Sequence, residues 1–171
     1  MRRLLSVFAL VAFAAVTASS PAPVQADPAA PAPAAVIGSQ DKAKWSATTE
    51  EAAATEANKK WLTLGKPATL TGEVVDYSCY TQLGKRGEAH VPCGTKCLTN
   101  GQPAGLLTPA GKLYVLIAEE HHPRRDGEAD LKSIFLPYLA KTVTVSGMLV
   151  TRPDSRTLFV STIGAKTGDA H

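Results

Sequence analysis

The sequence predicts an all-β domain with one short helix: five strands in Greek-key order closing into a small barrel, with a second helix ahead of it. Three observations carry this prediction. Apolar and polar residues alternate with a period of two along residues 68–76 and 141–150, the signature of strands with one buried face. The turn formers Pro109-Ala110-Gly111 and Arg152-Pro153-Asp154-Ser155 separate pairs of such runs. A single stretch of helical period, residues 131–140, lies between the third and fourth strands.

The chain starts with Met1-Arg2-Arg3, an apolar run over 4–16 and the small-residue cleavage signal Val24-Gln25-Ala26. Residues 1–26 therefore read as a secretory signal peptide cut before Asp27, because a membrane anchor needs about 20 apolar residues. A periplasmic or secreted protein is expected, with no stable membrane insertion after cleavage. No cysteine follows the apolar run, so lipid anchoring has no support. Removing 26 of 171 residues leaves 145, which suits one domain with tails. Arg2 and Arg3 leave with the signal, so 18 basic residues fall to 16 against 15 acidic ones, a net charge of +1. That balance offers no footprint for a polyanion and argues against a nucleic-acid partner.

Residues 27–47 form a Pro/Ala-rich linker, too poor in apolar bulk to bury a core. Residues 48–66 form a helical arm. Thr48-x-x-Glu51 has the spacing of a capping box, and a helix over 49–62 would end at Gly65 and Pro67. Trp45, Ala52, Ala53 and Trp61 are its candidates for docking on the domain at 67–163. The first strand, 68–76, contains Gly72, which permits a bend. A long connection follows, then a hairpin of strands 104–108 and 112–118. A polar loop over 119–130 leads to the helix at 131–140, with Asp130 placed to cap it and Leu131, Ile134, Phe135 and Tyr138 on one face. Strands 141–150 and 156–163 complete the domain, and 164–171 is a frayed, disordered tail.

Five strands with a helix between the third and fourth resemble the OB-fold superfamily over residues 67–163. Gly72-Glu73-Val74-Val75-Asp76, Cys79-Tyr80, His90-x-x-Cys93-x-x-x-Cys97 and Gly101-x-Pro103-x-Gly105-Leu106-Leu107 are similar to a group of small exported bacterial OB-like proteins without a settled activity. In an OB barrel the connection between the first two strands frames the ligand-binding face. The resemblance thus places the cysteines at that face.

All three cysteines, Cys79, Cys93 and Cys97, fall within nineteen residues, together with His90. If residues 93–97 form a helical turn, the two thiols stack at i and i+4 with His90 one turn back. Cys79 then approaches from the strand. Three thiols and an imidazole form a recognised tetrahedral set for zinc and equally suit copper(I), whereas magnesium and calcium prefer oxygen ligands. A carrier, a chaperone and a structural site are all compatible with such a set. Two other readings remain. Cys79 paired with Cys93 or Cys97 would staple the loop, giving a non-catalytic module that contacts an exported protein partner or a saccharide. With one thiol always left over, the same residues could run a thiol–disulfide couple as partner of an exported oxidoreductase. The Cys-x-x-x-Cys pair with a distant His resembles the motif of the Sco copper chaperones, which carry it on a different fold. Lys85, Arg86 and Lys96 read equally as charges that favour nearby thiolates and as solvated loop charges.

Tyr77 and Tyr80 are candidates for stacking on a ligand across the barrel face. His121 and His122, near Glu119, Glu120 and Asp126, are weaker metal candidates. No phosphate loop, nucleophile elbow or paired carboxylates occur, and Glu73 and Asp76 read as isolated on a strand edge, so no catalytic residue is assigned.

Overall fold

The computed structural model describes residues 34–37, 41, 43–127, 130 and 133–165. The signal peptide at 1–26, most of the linker and the tail from 166 onward lie outside the described residues.

A closed five-stranded barrel forms the domain. β2 (Lys66–Asp76) pairs antiparallel with β3 (Ala104–Leu107) on one side and with β5 (Thr142–Thr151) on the other. β3 continues into β4 (Leu113–Ala118), β4 runs parallel to β6 (Arg156–Ala165), and β6 closes the circle against β5. Strand order β2-β3-β4-β6-β5 with one parallel pair is the expected five-stranded barrel, compatible with an OB-like fold. Alternation explains the inside: Val74, Leu106, Leu116, Val143, Val145, Leu158 and Val160 are buried together. At Pro109-Ala110-Gly111 the hairpin turns as predicted, with Thr108 N–H donating to Lys112 O and Gly111 at φ +74°.

Two glycines let the wall close. A Cβ on Gly72 would lie 2.5 Å from Leu107 O, and one on Gly147 would lie 1.9 Å from Phe159 O, beside a register shift between Ser146 and Gly147. Both positions need glycine because another strand's backbone occupies the space a side chain would take.

Five expectations are corrected. The N-terminal arm is two helices, α1 (Ala47–Ala52) and α2 (Glu56–Leu62), not one over 49–62. Ser46, not Thr48, caps α1 by accepting from Thr49 N, and Thr55 caps α2 by accepting from Asn58 N, so a second cap interrupts the run. Of the expected helix at 131–140, residues 131 and 132 lie outside the described residues, and the rest holds a single 3₁₀ turn, Leu136–Tyr138. Pro137 lacks the N–H a continuing helix would use and restricts the residue before it. In place of a helix there, the connection also holds α5 (His122–Asp126). The linker contributes a short edge strand, β1 (Ala35–Val36), against β6, and β6 runs two residues into the expected tail.

The arm docks through polar contacts at the end of β4. Glu119, fully buried, accepts from Ser46 N at 2.8 Å, and its carbonyl accepts from Thr49 Oγ1 at 3.0 Å. Thr48 donates to Glu120. Trp45 meets Phe159 edge-on at 5.2 Å and donates to Leu62 O, whereas Trp61 is 56 % exposed beneath Arg152. Of the two tryptophans, Trp45 is the docking residue.

Candidate metal centre

The long connection between β2 and β3 is helical. α3 (Tyr77–Leu83) starts where β2 ends because Asp76 caps it, its Oδ1 accepting from Ser78 N at 3.1 Å, Cys79 N at 3.2 Å and Ser78 Oγ at 2.8 Å. This cap sets Cys79 in the first turn of α3. Gly84, left-handed at φ +67°, ends the helix. Glu73 then ties the chain down by accepting from Gly87 N at 2.7 Å and lying 3.6 Å from Arg86. A 3₁₀ turn, Glu88–His90, leads into α4 (Val91–Thr99), with Pro92 in its first turn. Glu73 and Asp76 are therefore the two anchors of the connection, not isolated edge carboxylates.

α4 packs closely on the barrel. A Cβ on Gly94 would stand 3.0 Å from Leu139 Cδ2, and Leu98 is buried on the same side. Leu139 in turn bridges to Val74 of β2, and Ala140 N donates to Val74 O at 2.8 Å. These contacts fix α4 beside the end of β2, which brings residues from 76 to 97 to one place.

Cys93 and Cys97 lie on α4 at i and i+4 with His90 just before it, as the spacing predicts. Their ligand atoms do not gather as one Cys3His cluster. Instead they fall into two triads, Cys79–His90–Cys93 and Asp76–Cys79–Cys97, each with all ligand atoms within 4.8 Å of one another. Cys79 belongs to both. Asp76 is the residue the sequence reading missed; an Asp directly before Tyr-Ser-Cys at a strand end is an N-cap signal that could have found it.

Electrostatics at the centre turn on Asp76. Burial pushes its carboxyl up, but the Cys97 thiol, the Ser78 hydroxyl and the Cys79 amide and thiol together outweigh burial and hold it below the usual range. The same carboxylate, first, and burial, second, push Cys97 up to about 12, and Cys79 is raised for the same reasons. Of the two readings of Lys85, Arg86 and Lys96, solvated loop charges fit the structure: all three are exposed, and Arg86 turns to Glu73. Asp76 Oδ2 faces His90 Nε2 at 3.7 Å, too long for a hydrogen bond. Both atoms are buried without a hydrogen-bond partner among the described residues. Buried polar atoms are usually satisfied, so such a pair at a cluster of ligand atoms marks a place for an electrophile.

All three cysteines are free thiols, so the alternative of a disulfide between Cys79 and Cys93 or Cys97 is not formed. Cys93 is exposed, while Cys79 and Cys97 are partly covered. Tyr77 lies against Gly105, and Tyr80 lines a separate polar recess of about 540 Å³ with Arg86, Thr108 and Gly111. The His121 and His122 rings meet in a T-shaped arrangement at 6.1 Å, with His122 Nδ1 3.9 Å from Glu51, and belong to neither triad. Among the described residues no helix is long and apolar enough to cross a membrane.

Comparison with family models, curated proteins and solved structures returned no match.

Proposed function

We propose that this chain is an exported barrel protein that binds a soft metal ion, zinc or copper(I), through Cys79, His90 and Cys93, with Cys97 adjoining. The observation that carries this reading is the convergence of Cys79, His90 and Cys93 ligand atoms within 4.8 Å of one another, where His90 Nε2 is buried without a hydrogen-bond partner among the described residues. Thiolates and imidazole select borderline and soft ions over magnesium or calcium. Exposed Cys93 gives an entering ion, or a partner's thiolate, a first point of attachment. A carrier or chaperone role is consistent with that access.

Metal analysis of the protein purified under reducing conditions tests the reading. Bound zinc or copper is expected to persist through gel filtration and to be lost in Cys79→Ser. A metal-free protein that takes up neither ion after reduction would rule the reading out.

A second reading is supported by the position of Cys79, whose sulfur has both other thiols as neighbours. Removal of two electrons and two protons by an exported disulfide oxidant would join Cys79 to one of them as a thiol–disulfide couple. Equilibration with glutathione at a defined potential would support it; thiols that stay reduced at oxidising glutathione ratios would exclude it.

A further inference from the structure

Cys79 stands in both triads, and that sharing decides how many ions the centre is built to hold. A single tetrahedral zinc, with Zn–S near 2.3 Å and Zn–N near 2.0 Å, draws its four ligand atoms to within about 4 Å of one another. Here the groups that meet the looser limit of 4.8 Å are two sets of three. His90 and Cys93 join Cys79 in one set and Asp76 and Cys97 join it in the other, with Asp76 Oδ2 3.7 Å from His90 Nε2 where the two sets adjoin. A thiolate sulfur keeps lone pairs after forming one metal bond, so it can join two ions.

Asp76 adds a second, independent observation. It is completely buried, its Oδ1 is engaged in capping α3, and its Oδ2 has no hydrogen-bond partner among the described residues. The carboxylate has already lost its water at the cost of folding, so donating the free lone pair to a cation restores an interaction without further desolvation. An oxygen donor beside a thiolate suits zinc better than copper(I), which prefers sulfur throughout.

We infer that the β2–β3 connection is built for two zinc ions bridged by the Cys79 thiolate. One ion is held by Cys79, His90 and Cys93, the other by Cys79, Cys97 and Asp76, and each keeps one position for water or a ligand from a partner. Binding releases the three thiol protons to solvent. This inference rests on the soft-metal reading of the same residues.

Zinc titration of the reduced full chain, read by native mass spectrometry, tests it. Two ions per chain are expected, with one retained by Cys93→Ser, one retained by Cys97→Ser, and none by Cys79→Ser. One ion in the unsubstituted chain would overturn the two-ion arrangement and leave the soft-metal reading standing; no ion would overturn both. Two ions still bound in Cys79→Ser would place them elsewhere and also overturn the inference. Far-UV circular dichroism confirms that each variant is folded. Cys93 is exposed, so Cys93→Ser carries the test even where Cys97→Ser does not fold.

Discussion

The barrel wall and the β2–β3 connection share strand β2 but are held by opposite means. In the wall every strand has hydrogen-bonded partners on both sides, and Val74, Leu106, Val143, Val145, Leu158 and Val160 are fully buried between them. The connection has few buried apolar side chains. It is pinned at points: the Asp76 cap on α3, the Glu73 contact to Gly87, and the seat of Leu98 and Gly94 beside Leu139. The difference teaches how a small domain can present thiols without burying them. Apolar packing supplies stability on one side of β2, and polar capping supplies position at its end.

Three measurements can break or sharpen this contrast. Leu158→Ala, in the wall, is expected to cost about 3 kcal/mol of unfolding free energy, as large-to-small changes at fully buried sites do. Urea denaturation measures it, and a cost below about 1 kcal/mol would show that the wall is less tightly packed than its burial implies. Next in size, Asp76→Ala removes the α3 cap and a buried acceptor, with an expected loss of about 2 kcal/mol. Asp76→Asn keeps a capping oxygen and should recover part of that loss. Equal losses in the two variants would remove capping as the explanation.

The smallest effect is in the pH dependence. Cys97 is raised from 9.0 to about 12 in the folded chain, so the native state holds its proton while the unfolded chain releases it. The resulting stability is fully present below about pH 9, the unfolded thiol's ordinary range, and is lost as pH rises towards 12. Urea midpoints of the reduced, metal-free protein should therefore fall more steeply between pH 8 and about 11 than those of Cys97→Ser. Parallel curves for the two proteins would show that Asp76 does not hold that proton. On the acid side the sign is reversed. The Asp76 carboxyl is lowered, so its contribution is present above about pH 4 and disappears as pH falls through its folded value.

Much of the barrel was legible because its signal is local. Period-two alternation at 68–76 and 141–150 and the Pro109-Ala110-Gly111 turn report strands and a hairpin directly. The helices were harder. Thr55 offers its hydroxyl to Asn58 N and divides the N-terminal run, and Pro137 reduces an amphipathic stretch to one 3₁₀ turn. Both residues were visible, but their weight against an apolar pattern emerges only in competition with the rest of the fold. The connection read as a loop because Gly84, Gly87 and Pro92 punctuate it, yet they serve as a helix end, an anchored turn and a first helical turn.

Sequence alone determined which chemistry is available: three thiols and an imidazole, with Cys93 and Cys97 one turn apart, since residue type and helical spacing are local properties. Tertiary structure decided how those groups combine. Cys79 and Asp76 reach α4 only because β2 closes the barrel and Leu139 seats Gly94 against it. A carboxylate that looked like a strand-edge charge thus becomes the buried centre of the site. Proximity across fourteen or more residues depends on packing, and no local pattern in the chain encodes it.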